Sequence, residues 1–360
     1  MKSKLSLPRW SIIAPILAWL LYYGKTFEFG GLYDLILAFA LIGTVLAAVH
    51  HAEVIAHRVG EPAGTLVLAI AITIIEVALI VSLMLAGGAE TAALARDTVF
   101  AAIMIILTGI IGLCLLVGGY RYQEQQFGRF GVSAALVTLT AISILTLVLP
   151  NYTTSVPGPV YNTSQLIFVG IISLVLYGTF VMVQTVRHRA YFLPEKVDSK
   201  TEAHVDPPSN QVTILSTVLL LVCLGAVVLL AKMLAPTIEG FVVEMGAPES
   251  LVGVIVAAVI LLPEGLAALR AAKKNRLQIS LNLALGSALA SIGLTIPVVA
   301  LVSIFTGLTI TLGIDTKSTL LLILSLFTVA LSFGTGRTTI MQGVVLLVLF
   351  AVYLFTTIVP

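Results

Sequence analysis

Long apolar runs separated by short polar breaks recur from one end of the chain to the other. They fall near 10–24, 30–49, 63–86, 98–119, 131–150, 163–186, 212–232, 250–270, 278–307, 318–335 and 339–359. A helix of roughly 17–25 apolar residues crosses the hydrocarbon core of a bilayer. The pattern therefore predicts an all-α polytopic membrane protein of about eleven transmembrane helices. The first run is short and follows Lys2, Lys4 and Arg9, as the core of a signal peptide would. No small-residue cleavage site comes after it, so it reads as a retained leading helix. The run 278–307 is longer than one straight crossing needs.

The longest polar stretch, 187–211, contains Pro194, Pro207 and Pro208 and reads as a cytoplasmic linker. It divides the chain into a leading helix (1–29), a five-helix repeat (30–186) and a second five-helix repeat (212–360). Five is odd, so two such halves insert with opposite orientation, the layout of inverted-repeat transporters. The basic residues set the direction. With the N-terminus in the cytoplasm, only Lys25, Arg96, Lys232 and Lys317 of the 19 Lys and Arg lie outside, an asymmetry that follows the positive-inside rule.

Composition narrows the function. Of the 360 residues, 59% are hydrophobic and only 10% are charged, against about 25% charged in a soluble domain. A soluble globule and a disordered chain are both excluded. The formal net charge of +2 argues against a nucleic-acid partner. Cys114 and Cys223 sit inside apolar runs, where cysteine behaves as a small hydrophobe. There is no P-loop, dinucleotide fingerprint or Cys/His metal spacing. No cofactor is expected, and neither is an ATP-driven pump or an enzyme: the spans hold no Ser/His or paired-Asp constellation. The expected partners are inorganic cations, protons and the lipid bilayer.

Two carboxylates stand out. Glu76 lies in the middle of one apolar run and Glu264 deep in another, each in the second helix of its repeat. A carboxylate at that depth costs at least roughly 2.5–3.5 kcal/mol and is kept where it meets a cavity, a partner or an ion. Thr73, one turn before Glu76, can lend a hydroxyl. Pro263 precedes Glu264 and removes the helical hydrogen bond to the carbonyl of Val259. That carbonyl is then either a cation ligand or the site of a simple packing kink. Carboxylates, carbonyls and hydroxyls are hard oxygen ligands suited to Ca²⁺ or Na⁺. Burial favours a protonated carboxyl and a bound cation favours the carboxylate, so protons and cations compete for such groups. His50, His51, Glu53 and His57 form a second cluster near the end of a span. Glu53 and His57 share a helix face and suit pH sensing or ion entry at a cytoplasmic mouth; a solvated helix end is the plainer reading. Glu239, Glu244 and Glu249 precede the Glu264 helix on the other side. Ser287 and Ser291 follow it in a helix able to pack across the site, or simply permit close packing.

Several passages together resemble the calcium/proton exchanger family of the calcium:cation antiporter superfamily. They are His51-Ala-Glu-Val-Ile-Ala-His-Arg-Val-Gly-Glu-Pro-Ala-Gly64, Ile75-Glu76-Val-Ala-Leu-Ile80, Arg96-Asp-Thr98, Leu176-Tyr-Gly-Thr-Phe-Val-Met-Val-Gln184, Pro263-Glu-Gly-Leu-Ala-Ala-Leu269, Leu285-Gly-Ser287 and Gly334-Thr-Gly-Arg-Thr338. They occur in family order over nearly the whole chain. The chain is most similar to bacterial transporters that exchange Ca²⁺, and in some members Na⁺ or K⁺, for H⁺ across the inner membrane. The resemblance implies that Glu76 and Glu264 are the paired cation- and proton-binding glutamates. It also implies that Glu53 and His57 belong to an acidic, histidine-bearing segment at the cytoplasmic mouth. One departure is clear: the Gly-Asn that precedes each key glutamate in better-known exchangers is here Ile72-Thr73 and Ile260-Leu261. That leaves room for Na⁺ or K⁺ beside Ca²⁺. The expected activity is secondary cation/proton antiport by alternating access, with a cation channel lacking proton coupling as the alternative.

Overall fold

The computed structural model describes residues 7–24, 31–60, 63–193, 207–244, 246, 248 and 250–359. Among them are eleven long helices: α1 (Arg9–Gly24), α2 (Gly31–Val59), α3 (Ala63–Gly87), α4 (Leu94–Tyr122), α5 (Arg129–Tyr152), α6 (Thr163–Arg187), α7 (Asn210–Glu244), α8 (Ser250–Lys273), α9 (Leu277–Thr306), α10 (Thr316–Phe333) and α11 (Ile340–Ile358). Nine of them are each long and apolar enough to span a bilayer; α3 adds the shorter apolar stretch Ile70–Leu85. In hydrocarbon every backbone polar group must be satisfied within the segment, which is why these apolar runs are helical. On α10 the residues Leu320, Leu324, Phe327 and Leu331 are exposed in a helical stripe, while Ser325, Val329 and Ser332 are buried. A continuous apolar face of this kind suits lipid rather than water.

The helices gather into two compact units. Unit 1 comprises Met1–Ala86 and Val197–Glu244, and unit 2 comprises Gly87–Lys196 and Met245–Pro360. Each draws on both halves of the sequence. Unit 1 holds α1, α2, α3 and α7. The Trp19 indole donates to the Val222 carbonyl at 3.2 Å, and Thr237 on α7 donates to Asp34 on α2 at 3.1 Å. At the far end of α2, Arg58 donates to the Pro208 carbonyl and to the Asn210 amide oxygen.

Unit 2 is fastened at both ends by paired loops. At one end β1 (Glu124–Gln126), between α4 and α5, pairs antiparallel with β2 (Arg337–Thr339), between α10 and α11. Gln125 reaches from β1 to the Ala272 carbonyl and the Asn275 amide oxygen at the α8–α9 turn. Asn282 on α9 donates to the Phe192 carbonyl just after α6. At the opposite end the α9–α10 loop meets the α5–α6 loop. Gly313 and Leu312 donate to the Pro159 carbonyl, Ile314 to Leu147, and Asn151 to Ile314. The loop between the third and fourth helices of one half thus meets the loop between the fourth and fifth helices of the other, once at each end. This reciprocal arrangement is what two inverted five-helix repeats produce.

Local irregularities serve this packing. α4 contains a π-helical turn at Ile105–Ile110 and α5 another at Ile144–Val148. A π-turn disturbs the regular carbonyl ladder. In α5 two carbonyls of that turn find other donors: the Tyr161 hydroxyl bonds Leu145 and the Ile314 amide bonds Leu147. Burial pushes the Tyr161 phenol up to about 12, so it remains a donor well above neutral pH. α4 and α11 cross in backbone contact: a Cβ on Gly343 would collide with the Leu116 amide nitrogen.

Two expected boundaries move. α2 continues past 49 to Val59, so the histidine cluster lies within the helix rather than at its edge. α7 continues past 232 through Lys232 and Pro236 to Glu244. Polar residues lower the hydropathy of a window without ending a helix whose backbone bonds continue. The run 278–307 is one 30-residue helix, α9, closed by Gly307 at φ 73°. Of the linker, Arg189–Phe192 is an ordered turn with Phe192 buried, whereas 194–206 lies outside the described residues, as do Lys2, Lys4, Glu61 and Glu249.

The two ends of unit 2 differ in charge. The end carrying β1 and β2 holds Arg121, Arg129, Arg187, Arg189, Arg270, Lys273, Lys274, Arg276 and Arg337, all exposed, against Glu124 among the described residues. The opposite end mixes signs, with Arg96 and Lys317 beside Asp97 and Asp315.

Candidate cation-binding site

Glu264 occupies the middle of α8, partly buried, and its helix runs unbroken through Pro263 from Ser250 to Lys273. Val259 stands one turn before Pro263, and Ile260 and Leu261 between them are buried. The Ser287 hydroxyl of α9 donates to Glu264 Oε1 at 3.3 Å. Hairpin geometry explains this meeting. α8 and α9 are joined by a tight turn in which Asn275 adopts φ 58°, a left-handed conformation that asparagine tolerates. Glu264 and Ser287 are almost equally far from that turn, so an antiparallel pair brings them to the same depth. Ser291 and Thr295 follow Ser287 at four-residue intervals and are buried, forming a stripe of hydroxyls along α9. On a face of α8 that Glu264 does not line, an apolar cavity of about 210 Å³ lies between the π-turn of α4 and the Leu262–Gly265 turn of α8. Its walls, including Ile105, Ile110 and Leu266, offer no ligand to a cation.

Glu76 is carried by α3 in the other unit. It is buried, at 4% exposure, with Thr73 one turn earlier at 3%. A threonine three residues before a glutamate shares its helix face. The two carboxylates are thus the property of different units, one with an adjacent hydroxyl on its own helix, the other with a hydroxyl from the next.

The histidine cluster resolves into two parts. Glu53 and His57 are exposed on one face of α2. His50 and His51 are turned toward α1. The His50 ring lies 5.5 Å from that of Trp10, and His51 is fully buried with Nε2 3.0 Å from the Ser11 carbonyl. A carbonyl only accepts, so the proton of neutral His51 sits on Nε2. His51, which the sequence groups with His50, Glu53 and His57, is a tie between α1 and α2. A histidine on the face opposite Glu53 and His57 is the signal that separates it from them.

Elsewhere in unit 2, Arg96 donates to Asp97 at 2.7 Å and to the Gly313 carbonyl at 3.3 Å. Gly253 of α8 passes so close that a Cβ would stand 2.9 Å from the Asp97 backbone. This cluster fastens α4, α8 and the α9–α10 loop at the end remote from β1 and β2. Glu244 is exposed at the end of α7. Both cysteines are buried free thiols. Among the described residues, no three His, Cys, Asp or Glu gather as a metal cluster would.

Known proteins share both sequence and fold with this chain. The family pattern described as "Sodium/calcium exchanger protein" matches residues 30–186 and 215–359. The "Putative ionic transporter y4hA" of Sinorhizobium fredii is 48% identical over 89% of this chain and 87% of its own. The "Sodium-potassium/proton antiporter ChaA" of Escherichia coli is 36% identical over 96% and 95%. A crystal structure of the Ca2+/H+ antiporter protein YfkE, selenium-substituted, superposes with a TM-score of 0.72 at 20% identity, covering 98% of this chain and all of that one. With its two family segments, its intramembrane glutamates and its reciprocal loop pairs, the chain belongs to the sodium/calcium exchanger family within the calcium:cation antiporter superfamily.

Proposed function

We propose that the protein is a cation/proton antiporter that exports Ca²⁺, or Na⁺ or K⁺, in exchange for H⁺, with Glu76 and Glu264 as the paired ligands. The observation that carries this reading is the placement of one intramembrane carboxylate in the second helix of each family segment, each with a hydroxyl neighbour. Its relatives, a sodium-potassium/proton antiporter among them, support it. Glu76, Thr73, Glu264, Ser287 and the Val259 carbonyl offer only hard oxygen donors. A proton on either carboxyl displaces a cation, and reorientation of the loaded site alone gives coupled exchange without a nucleotide. Thr73 and Leu261 stand where other exchangers carry asparagine, so the site offers fewer amide oxygens to Ca²⁺ and tolerates monovalent ions. His50, Glu53 and His57 lie at the cytoplasmic mouth, where the exposed pair, Glu53 and His57, meets incoming ions. The cation-rich end of unit 2 faces the cytoplasm by the positive-inside rule, which puts the N-terminus there too in a bacterial inner membrane. The halves 30–186 and 212–360 are the inverted repeats, joined by the 187–211 linker behind the leading helix 1–29.

The test uses purified protein in liposomes with an acidic interior and a pH-sensitive dye. External Ca²⁺, Na⁺, K⁺ and Mg²⁺ are added separately. One or more of the first three dissipates the gradient with wild-type protein. Glu76→Gln and Glu264→Gln each reduce the rate by at least about 100-fold while the protein still inserts. Dissipation at the normal rate by either variant removes that residue from the site. Cation-dependent current with no proton flux would make the protein a channel.

A further inference from the structure

The cation-rich end of unit 2 contains one ordered cluster that the transport reading does not use. After α6 the chain turns sharply over Arg189–Phe192, and the turn is locked in place. Phe192 is buried against Phe180, its carbonyl accepts from Asn282 at 2.6 Å, and the Tyr191 carbonyl lies against Gly131 so closely that a Cβ there would approach to 2.6 Å. The turn's aromatic rings stack: His188 on Tyr191 at 4.9 Å and 6°, and Tyr191 against Phe130 at 5.2 Å. The same end carries Arg187, the last residue of α6, Arg189, the first of the turn, and Arg129 at the first position of α5, whose guanidinium donates to the Gly334 carbonyl at 3.4 Å. All three guanidinium groups are exposed. Among the described residues of this end, the ion pair is Arg337 with Glu124 at 3.2 Å, and these three exposed arginines have no described carboxylate as partner.

We infer that the Arg129–Arg187–Arg189 cluster and its Phe130–Tyr191–His188 stack bind the phosphate headgroup of anionic phospholipids in the leaflet at this end. Three features favour a headgroup. The cluster lies at the ends of membrane-spanning α5 and α6, at the level where amphipathic aromatic rings settle in a bilayer. Among the described residues, charge at this end is nine cations to one carboxylate, so an anionic surface complements it. Guanidinium groups clasp phosphate oxygens in pairs, and here Arg187 ends α6 and Arg189 opens the fixed turn that follows, with the positive end of α5 beside that turn. A preordered turn loses little freedom on binding.

The inference is tested without transport, by thermal unfolding and by lipid binding of the full-length protein in detergent. Probes are phosphatidylglycerol, phosphatidylcholine with the same acyl chains, and inorganic phosphate. Phosphatidylglycerol raises the unfolding temperature of wild-type protein and phosphatidylcholine does not. The double variant Arg187→Gln/Arg189→Gln binds phosphatidylglycerol roughly 25-fold more weakly, with an unaltered unfolding temperature in phosphatidylcholine. Arg129→Gln, tested separately, weakens it less. Lys273→Gln/Lys274→Gln, at the same end but away from the turn, leaves most of the shift. Equal shifts from both lipids would overturn the inference, as would equal losses in the two double variants. Reproduction of the shift by inorganic phosphate would replace the lipid with a free anion. A patch already covered by the chain's own acidic segment 195–206 would show no lipid-dependent shift and would also overturn it.

Discussion

Glu264 and Ser287 show how a polar contact inside a membrane is arranged by chain geometry rather than by a local motif. Each stands almost equally far from the Asn275 turn, and the antiparallel hairpin brings them to 3.3 Å. A hydroxyl donated to a carboxylate helps fix its orientation toward a bound cation. Ser287→Ala therefore weakens cation affinity by about tenfold and lowers the maximal rate less, read from initial rates of gradient dissipation against cation concentration. An unchanged half-saturation concentration would leave Ser287 as a packing residue. The placement of the two glutamates within apolar helices was legible because burial of a charge is costly and a sequence shows that cost directly. Ser287 was legible only as one small polar residue among several, since small hydroxyl residues also serve close packing. His51 was hidden for a related reason: a histidine bonded to the Ser11 carbonyl and one exposed to water look alike in sequence.

At the scale of elements, apolar runs located every long helix but not its ends. The α2 and α7 helices outlast their runs because the backbone continues to bond where the side chains turn polar. Close helix crossings were not legible, since a glycine in an apolar run carries no sign of which helix approaches it. At Gly343 the backbones of α11 and α4 meet, and a side chain there must push them apart. Gly343→Val costs about 1–3 kcal/mol by overpacking and lowers the unfolding temperature in detergent, whereas Gly178→Ala, in open space on α6, does not. The π-turn of α5 offers a second case. Tyr161 satisfies its Leu145 carbonyl, and burial holds the phenol neutral up to about 12 against an ordinary value near 10. An acid whose folded pKa is raised stabilises the fold fully below its unfolded pKa and loses that contribution as pH climbs to the folded one. Wild-type protein therefore loses stability between about pH 10 and 12, and Tyr161→Phe flattens that part of the profile while lowering stability modestly at neutral pH. A profile of unchanged slope would show that Tyr161 does not set it.

For the molecule as a whole, the loop pairs give unit 2 a mechanical character that hydropathy could not reveal. Loops distant in sequence are joined by backbone bonds at both of its ends: β1 with β2 at one, Pro159 and Leu147 with Gly313 and Ile314 at the other. Such bonds resist separation of the α5, α10 and α11 ends they connect, so unit 2 is expected to keep its internal arrangement throughout transport. A cross-link across β1 and β2 tests this. Gln126 and Arg337 are partners in register and both exposed. Partners across an antiparallel pair lie about 4.5–5.5 Å apart at Cα, within the span of a disulfide. Both native cysteines are buried, so oxidation acts on the introduced pair. Gln126→Cys/Arg337→Cys protein, oxidised in liposomes, retains at least about half of its reduced-state exchange rate, because a bond across a pair that stays closed adds no barrier. The reduced double variant controls for the loss of the Arg337–Glu124 ion pair, an exposed interaction worth about 0–1 kcal/mol. Exchange that stops on oxidation and returns on reduction would place a moving joint between β1 and β2, and unit 2 would then deform during the cycle. Retained exchange assigns the conformational change that exposes Glu264 to motions outside this clasp.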